Sequence, residues 1–68
     1  MPKITLKAAR INAQLTQTEA AKKIGVSANT LRNWEAGKTF PNQPRIQKLC
    51  EVYKVPFDVL FFAQEISF

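Results

Sequence analysis

The chain has 68 residues, 46% of them hydrophobic and 22% charged, which is enough for one small domain with a marginal core. One cysteine and no histidine exclude an intramolecular disulfide, a zinc finger and any catalytic triad that needs histidine. The net charge is +5, and the whole excess lies before Thr39, where seven basic residues accompany two acidic ones. This asymmetry favours a polyanionic partner, although a basic surface that only maintains solubility is the alternative.

Two helices are predicted in the first part of the chain. Thr5 is the expected N-cap of a first helix over residues 6–13, whose apolar positions share one face. Thr16, with a glutamate three residues later, has the pattern of a capping box and predicts a second helix over residues 17–23. Gly25 is expected to end that helix in a left-handed conformation, which glycine adopts without strain.

A third helix is predicted over residues 28–36, capped by Ser27 and closed by Gly37. Leu31 and Trp34 lie three positions apart, so both can point into the core. Helical geometry then places the polar positions of this helix on the opposite face. The resulting stripe consists of Ala28, Asn29, Arg32 and Asn33.

The last third of the chain predicts two more helices. Proline in a first-turn position opens a fourth helix over residues 44–53, and a second proline opens a short fifth helix over residues 56–62. Phe57 and Leu60 are the expected core pair of that fifth helix. Residues 63–68 form an apolar tail, which either folds back over the core, meets a partner or continues into a larger protein.

The predicted fold is all-α, a compact five-helix bundle whose helices two and three form a helix-turn-helix. No segment alternates cleanly enough for a strand, and no linker or internal repeat divides the chain. The chain is therefore interpreted as a single domain over residues 1–68, with its core within about residues 5–62.

The exposed stripe of the third helix carries side chains that suit the major groove of DNA. Asparagine pairs bidentately with adenine, arginine pairs with guanine or a phosphate, and an alanine methyl packs on the thymine methyl. A plain solvent-exposed polar face is the alternative interpretation. Asparagine is a mediocre helix former, so Asn29 and Asn33 add nothing to helix stability there, and this favours the DNA-reading interpretation.

An ordered set of residues resembles the helix-turn-helix proteins of the phage Cro/repressor type (lambda-repressor-like). The resemblance extends over about residues 6–62 and implies their five-helix fold and their binding to double-stranded DNA. The matching features are Leu6, Arg10, Leu15, Thr16-Gln17-xx-Ala20-Ala21, Ile24-Gly25-Val26-Ser27, Leu31, Trp34-Glu35-xx-Gly37-Lys38 and Val55-Pro56.

The resemblance and the stripe together predict the site residues. The side chains expected to face base edges are Ser27, Ala28, Asn29, Arg32 and Asn33. The residues expected to hold phosphates, in part through backbone amides at the start of helix two and after helix three, are Gln17, Thr18, Lys38, Thr39 and Arg10. The resemblance further implies that Arg10 and Glu35 form a structural ion pair between helices one and three.

Three departures from the family pattern have expected consequences. Gln14 stands where glycine or asparagine is usual after helix one, and is expected to carry left-handed strain of about 1 kcal/mol. Cys50 and Tyr53 replace the usual alanine and leucine, and both are interpreted as core fillers. The loop after helix three lacks an arginine that some relatives direct at the minor groove, and Arg45 is the candidate to replace it in part.

The apolar C-terminal residues cannot all point into one small core, and exposed aromatic patches usually mark a partner surface. Helix five is the common dimer surface of the family, so a homodimer is expected to present two recognition helices about one DNA turn apart. The residues predicted for this surface are Phe61, Phe62, Ile66 and Phe68.

These observations predict a transcriptional regulator that binds double-stranded DNA sequence-specifically, most simply a repressor that occupies a palindromic operator through helix three. The alternatives are an antitoxin-like autoregulator of the same fold and a protein-interaction module that kept the fold. No enzyme, cofactor, metal or small-molecule substrate is expected. Without a signal segment or an apolar run of about 18 residues, we expect a cytoplasmic, nucleoid-associated protein of a bacterial or phage-infected cell.

Overall fold

The computed structural model describes residues 3–61 of the chain, with the side chain of Phe61 excepted. Its helices are α1 (Leu6–Asn12), α2 (Gln17–Ile24), α3 (Ala28–Ala36) and α4 (Gln43–Tyr53). A single 3-10 turn, Phe57–Val59, follows α4. Two short strands, β1 (Ile4–Thr5) and β2 (Leu60–Phe61), pair in parallel and join the two ends of the described chain.

Each α-helix begins at a polar residue that caps it. The side chains of Thr5, Thr16, Ser27 and Asn42 accept a hydrogen bond from the amide three residues later, at 3.0, 3.1, 3.1 and 3.2 Å. Glu19 Oε1 completes the predicted capping box, because it accepts from the Thr16 amide at 2.9 Å. The three hydroxyl caps confirm the predicted helix starts, whereas the cap at Asn42 was not predicted.

Each α-helix also ends in the same way, with a left-handed residue followed by an amide that donates to the carbonyl five residues earlier. These hydrogen bonds measure 2.9 to 3.2 Å. The left-handed residues are Gln14, Gly25, Gly37 and Lys54, with φ of 61°, 94°, 78° and 57°. The left-handed conformations predicted at Gln14 and Gly25 are confirmed, and Gly37 ends α3 as predicted. The conformation of Lys54 was not predicted.

The core lies where α2 packs against α3 and α4. Ala20 and Ala21 are 0% and 2% exposed, and their small side chains allow the neighbouring helices to approach α2 closely. None of the helices in residues 3–61 is both long and apolar enough to cross a bilayer. The buried apolar residues are Leu6, Ala9, Ala20, Ala21, Ile24, Leu31, Trp34, Ile46, Leu49, Tyr53 and Leu60.

The predicted fifth helix is not present within residues 3–61, which contain four α-helices, so the five-helix bundle is not confirmed. The segment after α4 makes one 3-10 turn, and from Leu60 its backbone is extended and pairs with β1. Pro56 provides no side-chain cap, and the segment is rich in aromatic and β-branched residues, which favour strands over helices. Leu60 is 1% exposed, as expected of a core residue, but Phe57 is 55% exposed and the prediction that it lies in the core is wrong.

Cys50 and Tyr53 both pack in the core region of α4, as predicted. Burial raises the pKa of the half-buried Cys50 thiol. Tyr53 is 4% exposed, and its hydroxyl has no hydrogen-bond partner within the described residues. Burial, followed by the nearby Glu35 carboxylate, raises the pKa of Tyr53 well above its ordinary range.

Replacing Tyr53 with phenylalanine is therefore expected to leave stability at pH 7 unchanged or to raise it by up to about 1 kcal/mol, because an unsatisfied buried hydroxyl is removed. The folded-state pKa of Tyr53 is raised, so the wild type loses stability as pH rises above about 10, the pKa of an unfolded tyrosine. The Tyr53→Phe variant has no hydroxyl to ionise, so it should lose less stability than the wild type at alkaline pH. Urea unfolding at neutral and alkaline pH measures both effects, and a loss above about 1 kcal/mol at pH 7 would show that the hydroxyl is hydrogen-bonded.

Candidate nucleic-acid interface

The start of α2 is held to the end of α3 by a buried polar network around Glu35. Arg10 Nε lies 2.7 Å from Glu35 Oε2, and the two side chains are 9% and 5% exposed. Arg10 Nη1 donates to the Leu15 carbonyl at 2.9 Å, and Gln17 Nε2 donates to Glu35 Oε1 at 3.0 Å. The ion pair implied by the resemblance is present, and with Gln17 it connects α1, α2 and α3.

One face of α3 is buried and the other is exposed. Leu31 and Trp34 are 0% and 7% exposed, so α3 is anchored in the core through these two side chains. Asn29 and Arg32 are exposed on the opposite side, where Arg32 Nη1 lies 3.5 Å from Asn29 Oδ1. Asn33 is half-buried. The exposed face of α3 therefore presents amide and guanidinium donors, together with amide acceptors, in adjacent positions.

The start of α3 is rigidified by its own cap. The exposed Ser27 hydroxyl accepts from the Thr30 amide at 3.1 Å and lies 2.9 Å from the Thr30 hydroxyl. A serine oxygen has two acceptor lone pairs and one donor, so Ser27 keeps hydrogen-bonding capacity for another group. The amide end of a helix also carries a partial positive charge, which favours an anion at this position.

The segment that follows α3 exposes a cation. Gly37 ends the helix, and the side chains of Lys38 and Thr39 are exposed directly after it. The backbone amide of Lys38 donates to the Asn33 carbonyl at 2.9 Å. Because the amide is already bonded, the ammonium group of Lys38 is the part of this residue that is able to bind a phosphate.

A family model described as Helix-turn-helix matches residues 6–60. The chain belongs to the helix-turn-helix family. It is 39% identical over 62 residues to the HTH-type transcriptional regulator ImmR of Bacillus subtilis (strain 168). It is 30% identical over 57 residues to the HTH-type transcriptional activator BcrR of Enterococcus faecalis. No solved structure gives a significant match.

These matches cover 91% and 84% of the chain but only 49% of ImmR and 28% of BcrR. The chain thus spans about half the length of the first relative and less than a third of the second. The family match confirms the resemblance found in the sequence. Both relatives are named for transcriptional control, ImmR as a regulator and BcrR as an activator.

Within this helix-turn-helix, three predicted roles need correction. Arg10 was expected to contact a phosphate, but it is 8% exposed and its guanidinium already bonds Glu35 and the Leu15 carbonyl. Ala28 was expected to point outward, but it is half-buried and packs against the core. The backbone amide of Lys38 was expected to hold a phosphate, but an intramolecular carbonyl already accepts from it.

The remaining predicted residues of the helix-turn-helix are accessible to different extents. Thr18 and Thr39 are exposed, and Gln17 is half-buried beside Glu35. Phe62, Ile66 and Phe68, and the side chain of Phe61, lie outside the part of the chain that the structure describes. The described residues contain no group of three or more histidine, cysteine, aspartate or glutamate side chains placed to hold a metal ion.

Sequence reasoning missed the contacts that three polar residues make in or beside the helix-turn-helix. Thr30 bonds Ser27, and its position three residues after an N-cap is the signal that predicts this contact. Asn42 caps α4, as the Asn-x-Pro pattern indicates in retrospect. Arg45 reaches back to the end of α2, which no local pattern predicts because the two residues are 21 positions apart.

Proposed function

We propose that the chain is the DNA-binding domain of a transcriptional regulator that places α3 in the major groove of double-stranded DNA. The observation that carries this proposal is the exposed pair Asn29 and Arg32 on a helix held from behind by Leu31 and Trp34. An exposed amide beside a guanidinium matches the hydrogen-bonding edges that base pairs show in the major groove.

In this proposal Asn29 and Arg32 make the principal base contacts, and Ser27 and Asn33 make contacts beside them. Ala28, half-buried, contributes at most part of its methyl surface. Phosphates on the flanking backbone are held at the start of α2 and after α3, where exposed or half-exposed polar side chains lie. The proposed phosphate contacts are Gln17, Thr18, Lys38 and Thr39.

We further propose that the protein acts as a repressor at a palindromic operator and binds it as a homodimer, without catalysis and without a cofactor. A two-fold dimer matches a palindrome because each copy reads one half-site. The sequence supports Phe61, Phe62, Ile66 and Phe68 as the dimer surface. BcrR is named an activator, so helix-turn-helix relatives also occur in proteins that activate.

Selection of bound duplexes from a random pool tests the proposed function. The expected result is an enriched inverted repeat whose half-site centres lie about 34 Å apart, one turn of DNA. An enriched single half-site would support base reading but contradict the dimer. Recovery of unrelated sequences at every salt concentration would contradict sequence-specific binding, because phosphate contacts alone carry no sequence information.

Replacing Lys38 with alanine is expected to weaken binding to the selected duplex and to random DNA by the same factor. Each phosphate that a lysine neutralises contributes about 0.9 to the slope of log K against log salt, so the slope should fall by about one. Lys48, an exposed lysine of α4 paired with Glu51 at 3.9 Å, provides the matched control. An unchanged slope for Lys38→Ala would remove Lys38 from the phosphate contacts.

A further inference from the structure

Arg45 connects the beginning of α4 to the turn between α2 and α3. Its Nη1 donates to the carbonyl of Ile24, the last residue of α2, at 3.4 Å. The same nitrogen lies 3.5 Å from the point where a Cβ would stand on Gly25, so the guanidinium lies directly against the turn. The backbone amide of Arg45 donates to Asn42 Oδ1 at 3.2 Å, which fixes the end of the preceding loop.

The end of α2 suits a guanidinium for two physical reasons. The last carbonyls of an α-helix have no intrahelical donor, and the Ile24 carbonyl is the final one of α2. The carboxyl end of a helix also carries a partial negative charge, which favours a nearby cation. Arg45 thus satisfies a helix terminus that α2 itself leaves open, although it belongs to another helix.

The position of this contact relates it to the proposed interface. Ile24 precedes the α3 cap Ser27 by three residues, so the contact lies at the entry to the recognition helix. Asn42, bonded to the Arg45 amide, ends the segment that begins with the proposed phosphate contact Lys38. Arg45 therefore links the start of α3, which is proposed to contact bases, to the segment 38–42, which is proposed to contact phosphates.

We propose that Arg45 is a positioning residue that sets the register between the start of α3 and the segment 38–42, and thereby sequence preference, without touching DNA itself. This inference rests on the proposed function. It replaces the expectation that Arg45 takes the place of an arginine in the minor groove, because its guanidinium is directed at the Ile24 carbonyl.

The test compares wild type with Arg45→Met, which keeps the length of the side chain but removes the donor and the charge. Dissociation constants are measured for a selected duplex and a random duplex over a range of salt concentrations. We expect the ratio of selected to random affinity to fall roughly 2- to 30-fold, the range seen for residues that modulate a site without contacting the ligand. The salt slope should stay unchanged, because no phosphate contact is lost.

Two further variants separate positioning from other roles. Arg45→Lys keeps a donor and the charge, and is expected to restore most of the preference. Lys48→Met removes an exposed cation of the same helix, and is expected to change neither the ratio nor the slope. All variants are compared at a temperature at which circular dichroism shows each of them fully folded. If Arg45→Met does not fold, Arg45→Leu, which also removes both the donor and the charge, takes its place.

The outcomes distinguish this inference from the proposed function. A retained preference in Arg45→Met overturns the positioning role while leaving DNA binding intact. A salt slope lower by about one unit overturns it too, because Arg45 would then contact a phosphate directly. A wild-type protein that prefers no duplex over random DNA overturns the proposed function instead.

Discussion

Replacing Glu35 with alanine is expected to destabilise the domain by about 3–5 kcal/mol, because it leaves the Arg10 guanidinium buried without its counter-charge. The Arg10 and Glu35 side chains are 9% and 5% exposed, so water compensates little for the lost carboxylate. Gln17 loses its acceptor as well, since its Nε2 bonds Glu35 Oε1. A domain of this size has a total stability of roughly 3–10 kcal/mol, so the variant should be largely unfolded or close to it.

Urea unfolding followed by the fluorescence of Trp34, the single and buried tryptophan, measures this loss. Glu51→Ala is the control: its pair with Lys48, at 3.9 Å, is exposed, and such pairs contribute less than about 1 kcal/mol. The double variant Arg10→Met with Glu35→Leu should be less destabilised than either single replacement, because no charge stays buried. A loss below about 1 kcal/mol for Glu35→Ala would show that the network does not hold the three helices.

Replacing Asn29 with alanine is expected to reduce affinity for the selected duplex by about 1–3 kcal/mol, or roughly 5- to 150-fold, and to relax preference at one base pair. Asn29 is exposed on α3 and bonds only the neighbouring Arg32 within the described chain, so its removal should leave stability almost unchanged. Binding is measured for the selected duplex, for its single-base-pair variants and for random DNA.

Asn12→Ala is the matched control, since Asn12 is an exposed helical asparagine on α1, outside the proposed interface. It should bind all duplexes like the wild type. Equal weakening of selected and random DNA by Asn29→Ala would mean that Asn29 contacts the backbone of DNA rather than a base edge.

The ends of the helices were predictable to the extent that local chemistry decides them. Thr5, Thr16 and Ser27 are hydroxyl caps, and Gly25 and Gly37 are residues that adopt a left-handed conformation without strain. Each of these signals acts within a few residues along the chain. The bounds of α2 and α3, which carry the proposed site, could therefore be predicted from the sequence.

Two features of the C-terminal third were not predicted from the sequence. The segment after Pro56 has apolar residues at helical spacing, yet it pairs with β1, which lies at the other end of the chain. Lys54 adopts a left-handed conformation because α4 must end before the pre-proline residue Val55, and no glycine marks this end. Tertiary pairing outweighs local periodicity in the segment after Pro56, whereas the end of α4 is set locally by the proline that follows it.

Within the candidate site, the sequence predicted which face of α3 is exposed but not the direction of every side chain. The exposure of Asn29 and Arg32 followed from the burial of Leu31 and Trp34, because helical geometry separates the two faces. Ala28 lies near the boundary between these faces, and its small side chain packs against the core instead of standing outward. Periodicity predicts the centre of a face better than its edges.

The most direct test of the central claim is a titration of the isotope-labelled protein with the selected duplex, followed by its backbone amide resonances. We expect the largest shifts in residues 27–33, with further shifts at residues 17–18 and 38–39. Shifts confined to α1 and to the outer face of α4, with α3 unaffected, would contradict the claim that α3 reads the major groove.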